Sequence, residues 1–205
     1  MKKIILTAVA IAAFGFANAQ DKKADGAGFS SGDVFVSGAV SITSSNNKNT
    51  DTKESGFGIT PKLGYFFTEN IALGAKVGYE SAKTKVAGTT TKDHSEMMFG
   101  AFGRYYFTPA SQFSIFAELG VDYSTMKHKM MEGAVMGETV KTNTIGAGLS
   151  LGLNYFVSSN FALEANYAAL NLTSSKIDAP GEKNTSTFGL GADLSAVSIG
   201  LLYKF

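Results

Sequence analysis

Val197-Ser198-Ile199-Gly200-Leu201-Leu202-Tyr203-Lys204-Phe205 closes the chain. Counting back from Phe205 in twos gives Tyr203, Leu201, Ile199 and Val197, with Lys204, Leu202, Gly200 and Ser198 between them. Successive side chains of a β-strand point to opposite faces, so this segment reads as a strand with one wholly apolar face that ends in an aromatic residue. The same ending recurs inside the chain as Gly64-Tyr65-Phe66-Phe67, Arg104-Tyr105-Tyr106-Phe107 and Asn154-Tyr155-Phe156-Val157, each followed by a short polar turn. The segment Thr142 to Phe156 shows the facing rule most clearly. Ile145, Ala147, Leu149, Leu151, Leu153 and Tyr155 share one side, and Gly146, Gly148, Ser150, Gly152 and Asn154 the other. A one-residue slip would exchange the two sets completely.

Recurring alternation with aromatic ends predicts an all-β fold, a transmembrane antiparallel up-and-down β-barrel. Eight segments carry the pattern: Asp33 to Ser44, Ser55 to Phe67, Ile71 to Ala82, Ser95 to Phe107, Gln112 to Ser124, Thr142 to Phe156, Phe161 to Leu172, and Leu194 to Phe205. Each has the roughly 9 to 11 residues that a tilted strand needs to cross a bilayer. The connections alternate too. Thr68-Glu69-Asn70, Thr108 to Ser111 and Val157 to Asn160 are tight turns, whereas Ser45 to Glu54, Lys83 to His94, Thr125 to Lys141 and the stretch from Thr173 onward read as long polar loops. Short turns at one end, long loops at the other and an even strand count fit an outer-membrane barrel with both barrel termini periplasmic. A water-soluble barrel or sandwich also alternates. It accounts for neither the terminal Phe205 nor the common level of Tyr65, Tyr105, Tyr155 and Tyr203, which suits rings at a membrane–water boundary. Phe188, Leu190 and Leu194 fall on the opposite parity from Val197 to Phe205, which predicts a bulge or turn near Gly191 to Ser195 and an eighth strand that extends beyond it.

At the other terminus, Lys2 and Lys3 precede the apolar run Ile4 to Phe16 and the small-residue site Ala17-Asn18-Ala19. This is a secretory signal peptide over 1–19, followed by a short periplasmic lead-in over 20–32 and the barrel domain over 33–205. Removing Lys2 and Lys3 takes the formal charge from +1 to −1, which offers nucleic acid no basic surface. With 23 Gly, 16 Phe and 8 Tyr against 3 Pro, no Trp and no Cys, disulfides are excluded. A mean hydropathy near zero is what alternating faces average to.

With its Tyr203-Lys204-Phe205 ending, the chain resembles the small outer-membrane β-barrel family of Gram-negative bacteria, the OmpX-like and OmpW-like eight-stranded proteins, over about Asp33 to Phe205. The resemblance implies a cell outer membrane location and a carboxyl-terminal strand read by the barrel-assembly machinery through Tyr203 and Phe205. It also implies a monomer in contact with outer-membrane lipid and lipopolysaccharide. The peptidoglycan-binding module of OmpA-type proteins is not expected.

Carrying the outward parity of the last strand through the aromatic ends places Lys62, Lys76, Glu80, Arg104, Glu118, Asp122, Glu164 and Lys204 inside. An eight-stranded barrel is only wide enough for side chains to fill, and unpaired ions away from water cost several kcal/mol. The balanced charges therefore predict an internal ion-pair network, narrowed further by Phe66, Phe102, Tyr106 and Phe116. This reads as a plugged, non-enzymatic barrel that presents polar surface loops for envelope integrity, adhesion or interaction. The alternative is a narrow porin-like or lateral channel for ions or small apolar solutes; an OmpW-like lumen would be mostly apolar, which the charges fit less well.

Asp93-His94-Ser95-Glu96 has residue types for nucleophilic catalysis, but neighbours in extended backbone face apart, so no catalytic site is assigned. Met126, His128, Met130, Met131 and Met136 are soft ligands that could suit copper(I). Without regular spacing they read as adaptable contact surface, and neither metal nor cofactor is expected.

Overall fold

The computed structural model describes residues 27–132, 135–190 and 197–205. The expected signal peptide and the first part of the lead-in lie outside these residues, as does the stretch 191–196. The strands are β1 (Val34–Asn47), β2 (Thr52–Phe66), β3 (Ile71–Val86), β4 (Thr89–Tyr106), β5 (Phe113–Glu132), β6 (Val135–Met136), β7 (Val140–Phe156), β8 (Phe161–Ile177), β9 (Thr185–Leu190) and β10 (Val197–Lys204). Every pairing is antiparallel, in the order β1-β2-β3-β4-β5-β7-β8, and β10 bonds both β8 and β1 to close the ring. β6 is a two-residue ribbon on the end of β5. β9 lies beside β8 above β10, so the two together form one stave of a closed eight-stranded barrel.

The tight turns occur where polar residues break the alternation, and they share one end of the barrel, here called the base. The Thr68 hydroxyl accepts the backbone N–H of Asn70 at 3.3 Å and of Ile71 at 3.0 Å. Ser158 does the same for Phe161 at 3.0 Å. Such side-chain acceptors let the backbone reverse in few residues.

At the opposite end the expected long loops are largely strand. β3 runs on to Val86 and β4 begins at Thr89, so Lys83 to His94 contains only the turn Ala87-Gly88, with both residues at positive φ (48° and 81°) as a tight hairpin turn requires. Ser45 to Glu54 reduces to a turn at 48–51, and most of Thr125 to Lys141 belongs to β5, β6 and β7. Both faces of these extensions are mostly polar, with Val86, Met130 and Val140 as exceptions, so alternation disappears from the sequence although the backbone ladder continues. Thr84, Thr89, Thr90 and Thr91 are the β-branched residues that favour it.

Facing follows the alternating rule. Leu63, Val77, Phe99, Leu119, Leu151 and Leu201 point outward and are exposed, while Phe35, Phe66, Tyr106, Phe116 and Leu202 are fully buried inside. The parity conflict near the eighth stave has a two-part cause. In β8 the partners of Leu149 and Ser150 are Leu170 and Ala168, so Ala169 is an extra residue that shifts the outward set from Tyr167 to Leu170 and Leu172. β9 matches the shifted set, Leu172 opposite Phe188 and Leu170 opposite Leu190. Leu172, Phe188 and Leu190 are accordingly exposed on the outer face. On β8 only Ala168 and Ala169 separate the partners of β10 from those of β9, whereas residues 191–196 separate the two strands themselves. The bulge or turn expected near Gly191 to Ser195 lies outside the described residues.

β10 bonds β1 only from Phe35 opposite Lys204 to Ala39 opposite Gly200. Above that, Val197, Ser198 and Ile199 stay paired to β8, and among the described residues Val40 to Asn47 bond β2 alone. Among the described residues the upper wall therefore has a seam between β1 and β10, beside Val40 to Ile42 and Val197 to Ile199.

Candidate functional site

The basal half of the lumen is filled with rings. Phe29, Phe35, Phe66, Tyr106, Phe116 and Phe156 are all at most 2% exposed. Phe35, Phe102 and Phe116 each face a glycine across the ladder, at Gly64, Gly74 and Gly152 respectively. A Cβ on any of these glycines would collide with the ring opposite, so the interior glycines are the space into which the aromatic plug folds.

Phe29, which sequence reasoning missed, sits at the centre of the plug. Its ring lies 4.6 Å from Phe66, 4.9 Å from Tyr106 and 5.0 Å from Phe156. The segment before β1 is thus part of the base, with the Phe29 N–H donating to the Pro109 carbonyl at 2.7 Å. Gly28 turns the chain inward at φ +102°, where a Cβ would meet the backbone of Pro109 and Ala110. Lys204 of β10 secures this turn by donating to the Gly28 carbonyl at 2.6 Å, with Asp33 at 3.7 Å. The only signal in the sequence is one aromatic residue after the run Gly26-Ala27-Gly28.

Above the rings lies the charge cluster. Arg104 Nε donates to Glu118 at 2.6 Å, and its two terminal nitrogens grip Glu164 at 2.7 and 2.9 Å. Lys62 donates to both Glu118 oxygens at 2.8 and 2.9 Å. The guanidinium also lies over the rings of Phe116 at 4.2 Å, Phe102 at 5.1 Å and Phe35 at 5.4 Å. The Tyr106 hydroxyl accepts from Arg104 and from Asn154, both at 3.2 Å. β4 and β5 place Arg104 opposite Glu118, so the bond is built into the strand register. Lys62 and Lys76 oppose each other on β2 and β3, an unfavourable like-charge pair. Each is drawn to its own acid on β5, Lys62 to Glu118 and Lys76 to Asp122 at 2.7 Å.

Of the eight charges expected inside, the structure joins Lys62, Arg104, Glu118 and Glu164 in one cluster and leaves Lys76 with Asp122 as a second pair. Lys204 serves the base instead. Glu80 stands opposite Glu96 nearer the upper rim, with no ion-pair partner among the described residues. Over the cluster is a cavity of about 380 Å³ reached by Lys62, Lys76, Asp122, Asn166 and Asn171. A second space of about 580 Å³ borders Glu80, Ser41 and Ser198 and reaches the seam at Val40 and Ile199.

The other candidates resolve by register. His94 lies within β4 and not in a loop, with Ser95 on the opposite face. His94 pairs across the ladder with His128, and Met126 shares that inward face. The side chains of Met131 and Met136 lie outside the described residues. Among the described residues no group of three or more His, Cys, Asp or Glu is placed to hold a metal ion.

On the outer face at the base, Tyr65, Tyr105 and Tyr203 each meet the aromatic residue two positions on. They contact Phe67 at 4.9 Å, Phe107 at 5.2 Å and Phe205 at 5.0 Å, all edge to face. Tyr155 departs from this row, being only 7% exposed with the Phe113 ring 4.6 Å away.

The family model of the outer membrane protein beta-barrel domain matches residues 6–205. Among solved structures, the chain is similar to the outer membrane protein OprG from Pseudomonas aeruginosa at 17% identity, over 87% of this chain and 98% of that one, with a TM-score of 0.52. A major outer membrane protein from Thermus thermophilus is similar at 11% identity over 84% and 98%, with a TM-score of 0.50. At these identities the likeness is one of fold. No curated protein matches the sequence. With its closed ring of eight staves, outward apolar rows and a family match over nearly its whole length, the chain belongs to the outer membrane protein beta-barrel domain family and is an outer-membrane β-barrel protein.

Proposed function

We propose that this protein is a non-enzymatic barrel sealed against through-flow, which works through its wall and its tall upper strands. The observation that carries this reading is the basal seal, in which Phe29 closes the ring of Phe35, Phe66, Tyr106 and Phe156 beneath the Arg104 cluster. An ion crossing it would have to shed its water among aromatic rings, a cost of several kcal/mol that no free partner there offsets. The base, with both barrel termini and the short turns, faces the periplasm, following the usual asymmetry of such barrels. The polar upper strands then stand above the outer leaflet, available for envelope integrity, adhesion or interaction. Swelling of proteoliposomes in small sugars tests the seal. Mature protein should admit them no faster than empty vesicles, and porin-like swelling would refute the reading.

The seam favours a second reading, passage of small apolar solutes from the upper lumen sideways into the membrane. Val40, Ile42 and Ile199 flank it and are 56%, 79% and 68% exposed, and the 580 Å³ space opens on it. If the β1–β10 register continued beyond Ala39 and Gly200, Ser41 would face Ser198. A disulfide between Ser41→Cys and Ser198→Cys should slow uptake of a small alkane derivative and restore it on reduction. Equal uptake in both redox states removes this reading.

A further inference from the structure

We infer that the upper end of the lumen holds a site for a soft monovalent metal cation, copper(I), built by His94, His128, Met126 and Met130. The chain has two histidines, and the register sets them directly opposite each other on β4 and β5. The stretch that carries Met126, His128 and Met130 reads in the sequence as a loop, where an interval of two residues has no meaning. In the structure it is part of β5, which runs on to Glu132, so the same interval puts all three side chains on one face. That face is the inner one, continuing the parity of Phe116, Glu118 and Asp122. His94 therefore looks across at His128, with Met126 and Met130 as its two diagonal neighbours. Opposed residues of an antiparallel pair have Cβ atoms about 4.5–5.5 Å apart, and diagonal ones, about 7–8 Å away, stay within reach of long side chains.

The donor set selects the metal. Thioether sulfur is a soft ligand that suits copper(I), and imidazole binds copper equally well, whereas zinc draws on thiolate, imidazole and carboxylate. The chain has no cysteine. Glu96, opposite Met126, does not join the imidazoles in a three-ligand group among the described residues. Neither imidazole is committed elsewhere, since among the described residues neither makes a hydrogen bond or an ion pair, although both are half-buried. Unbranched methionine brings its sulfur to a metal by rotation about several bonds, with no movement of the strand. Just beneath, Glu80 faces Glu96 across β3 and β4, while Lys92 stands opposite Met130 above. Two acids against one lysine give an entering cation a favourable field. The site lies above the aromatic base, so the inference is independent of whether the lumen conducts.

The test titrates mature protein, refolded in detergent, into the coloured complex of copper(I) with bicinchoninate under ascorbate, where loss of colour counts the metal taken. Wild type should take one copper(I) per barrel. His94→Gln and His128→Gln should each weaken binding by more than the roughly tenfold that even an outer partner of a metal is worth. Met126→Leu should weaken it as well, while Met97→Leu, on the outward face of β4, leaves it unchanged. Silver(I), a redox-inert probe of the same chemistry, should shift the ring-nitrogen resonances of both histidines together with the methyl resonance of Met126. Metal-free variants should unfold in urea as wild type does, which separates lost ligation from lost folding. No copper(I) taken by folded wild type, full binding by the variant carrying both His94→Gln and His128→Gln, or displacement of copper(I) by an equal concentration of zinc(II) would each overturn the inference.

Discussion

Arg104 is the residue on which the interior turns. It is 1% exposed and holds Glu118 and Glu164 at once. Replacing it by Ala leaves Glu164 with no cation and Glu118 with Lys62 alone, so a loss of about 3–5 kcal/mol is expected, read as a lowered urea midpoint in detergent. Lys62→Met and Arg104→Met together with Glu118→Gln and Glu164→Gln remove all four charges of the cluster, and such neutral replacements are often harmless. That quadruple variant should recover most of the loss; if it is as unstable as Arg104→Ala, the cost lies in packing rather than stranded charge. The glycines make a complementary case. Gly152→Val puts a branched side chain where the Phe116 ring lies, and overpacking of about 1–3 kcal/mol should follow, measurable against Gly146→Val, where a Cβ meets only ordinary contacts at 3.6 and 3.7 Å. Alternation alone places the interior charges on one face. It cannot say which acid meets which base, because that depends on the stagger between strands. Lys204 illustrates the point, inward by parity but claimed by the Gly28 carbonyl.

At the scale of elements, membrane-crossing segments were legible because lipid on one side enforces a period of two. Above the apolar band that constraint ends, and strands such as the upper halves of β3 and β4 look like loops. Hydrogen exchange distinguishes the two descriptions. Amides of Ala82 to Thr84 and of Lys92 to Ser95 should be protected, with rapid exchange confined to the turn around Ala87 and Gly88. Uniformly fast exchange from Lys83 to His94 would restore the loop. The parity break before Val197 was visible from Phe188 and Leu190. Its partner, the extra Ala169 in β8, was not, because a bulge among Ala168, Ala169 and Leu170 leaves no polar mark.

For the whole molecule, the closed ring, the aromatic base and the strand count follow from patterns repeated many times along the chain. The seal and the seam do not, since each rests on a single non-repeating feature. Phe29 reaches the plug from outside the strands, and among the described residues β1 above Ala39 bonds β2 alone. The filled base distinguishes this barrel from one with the same strands around an empty lumen.

Single-channel recording in a planar bilayer tests the seal most directly, using mature protein shown by gel shift to be folded and inserted. Wild type should remain silent, and Phe29→Ser combined with Phe66→Ser and Phe116→Ser should give discrete ion steps. Steady steps in wild type, altered by Lys76→Ala or Glu118→Ala, would contradict the seal and establish a continuous pore lined by those charges.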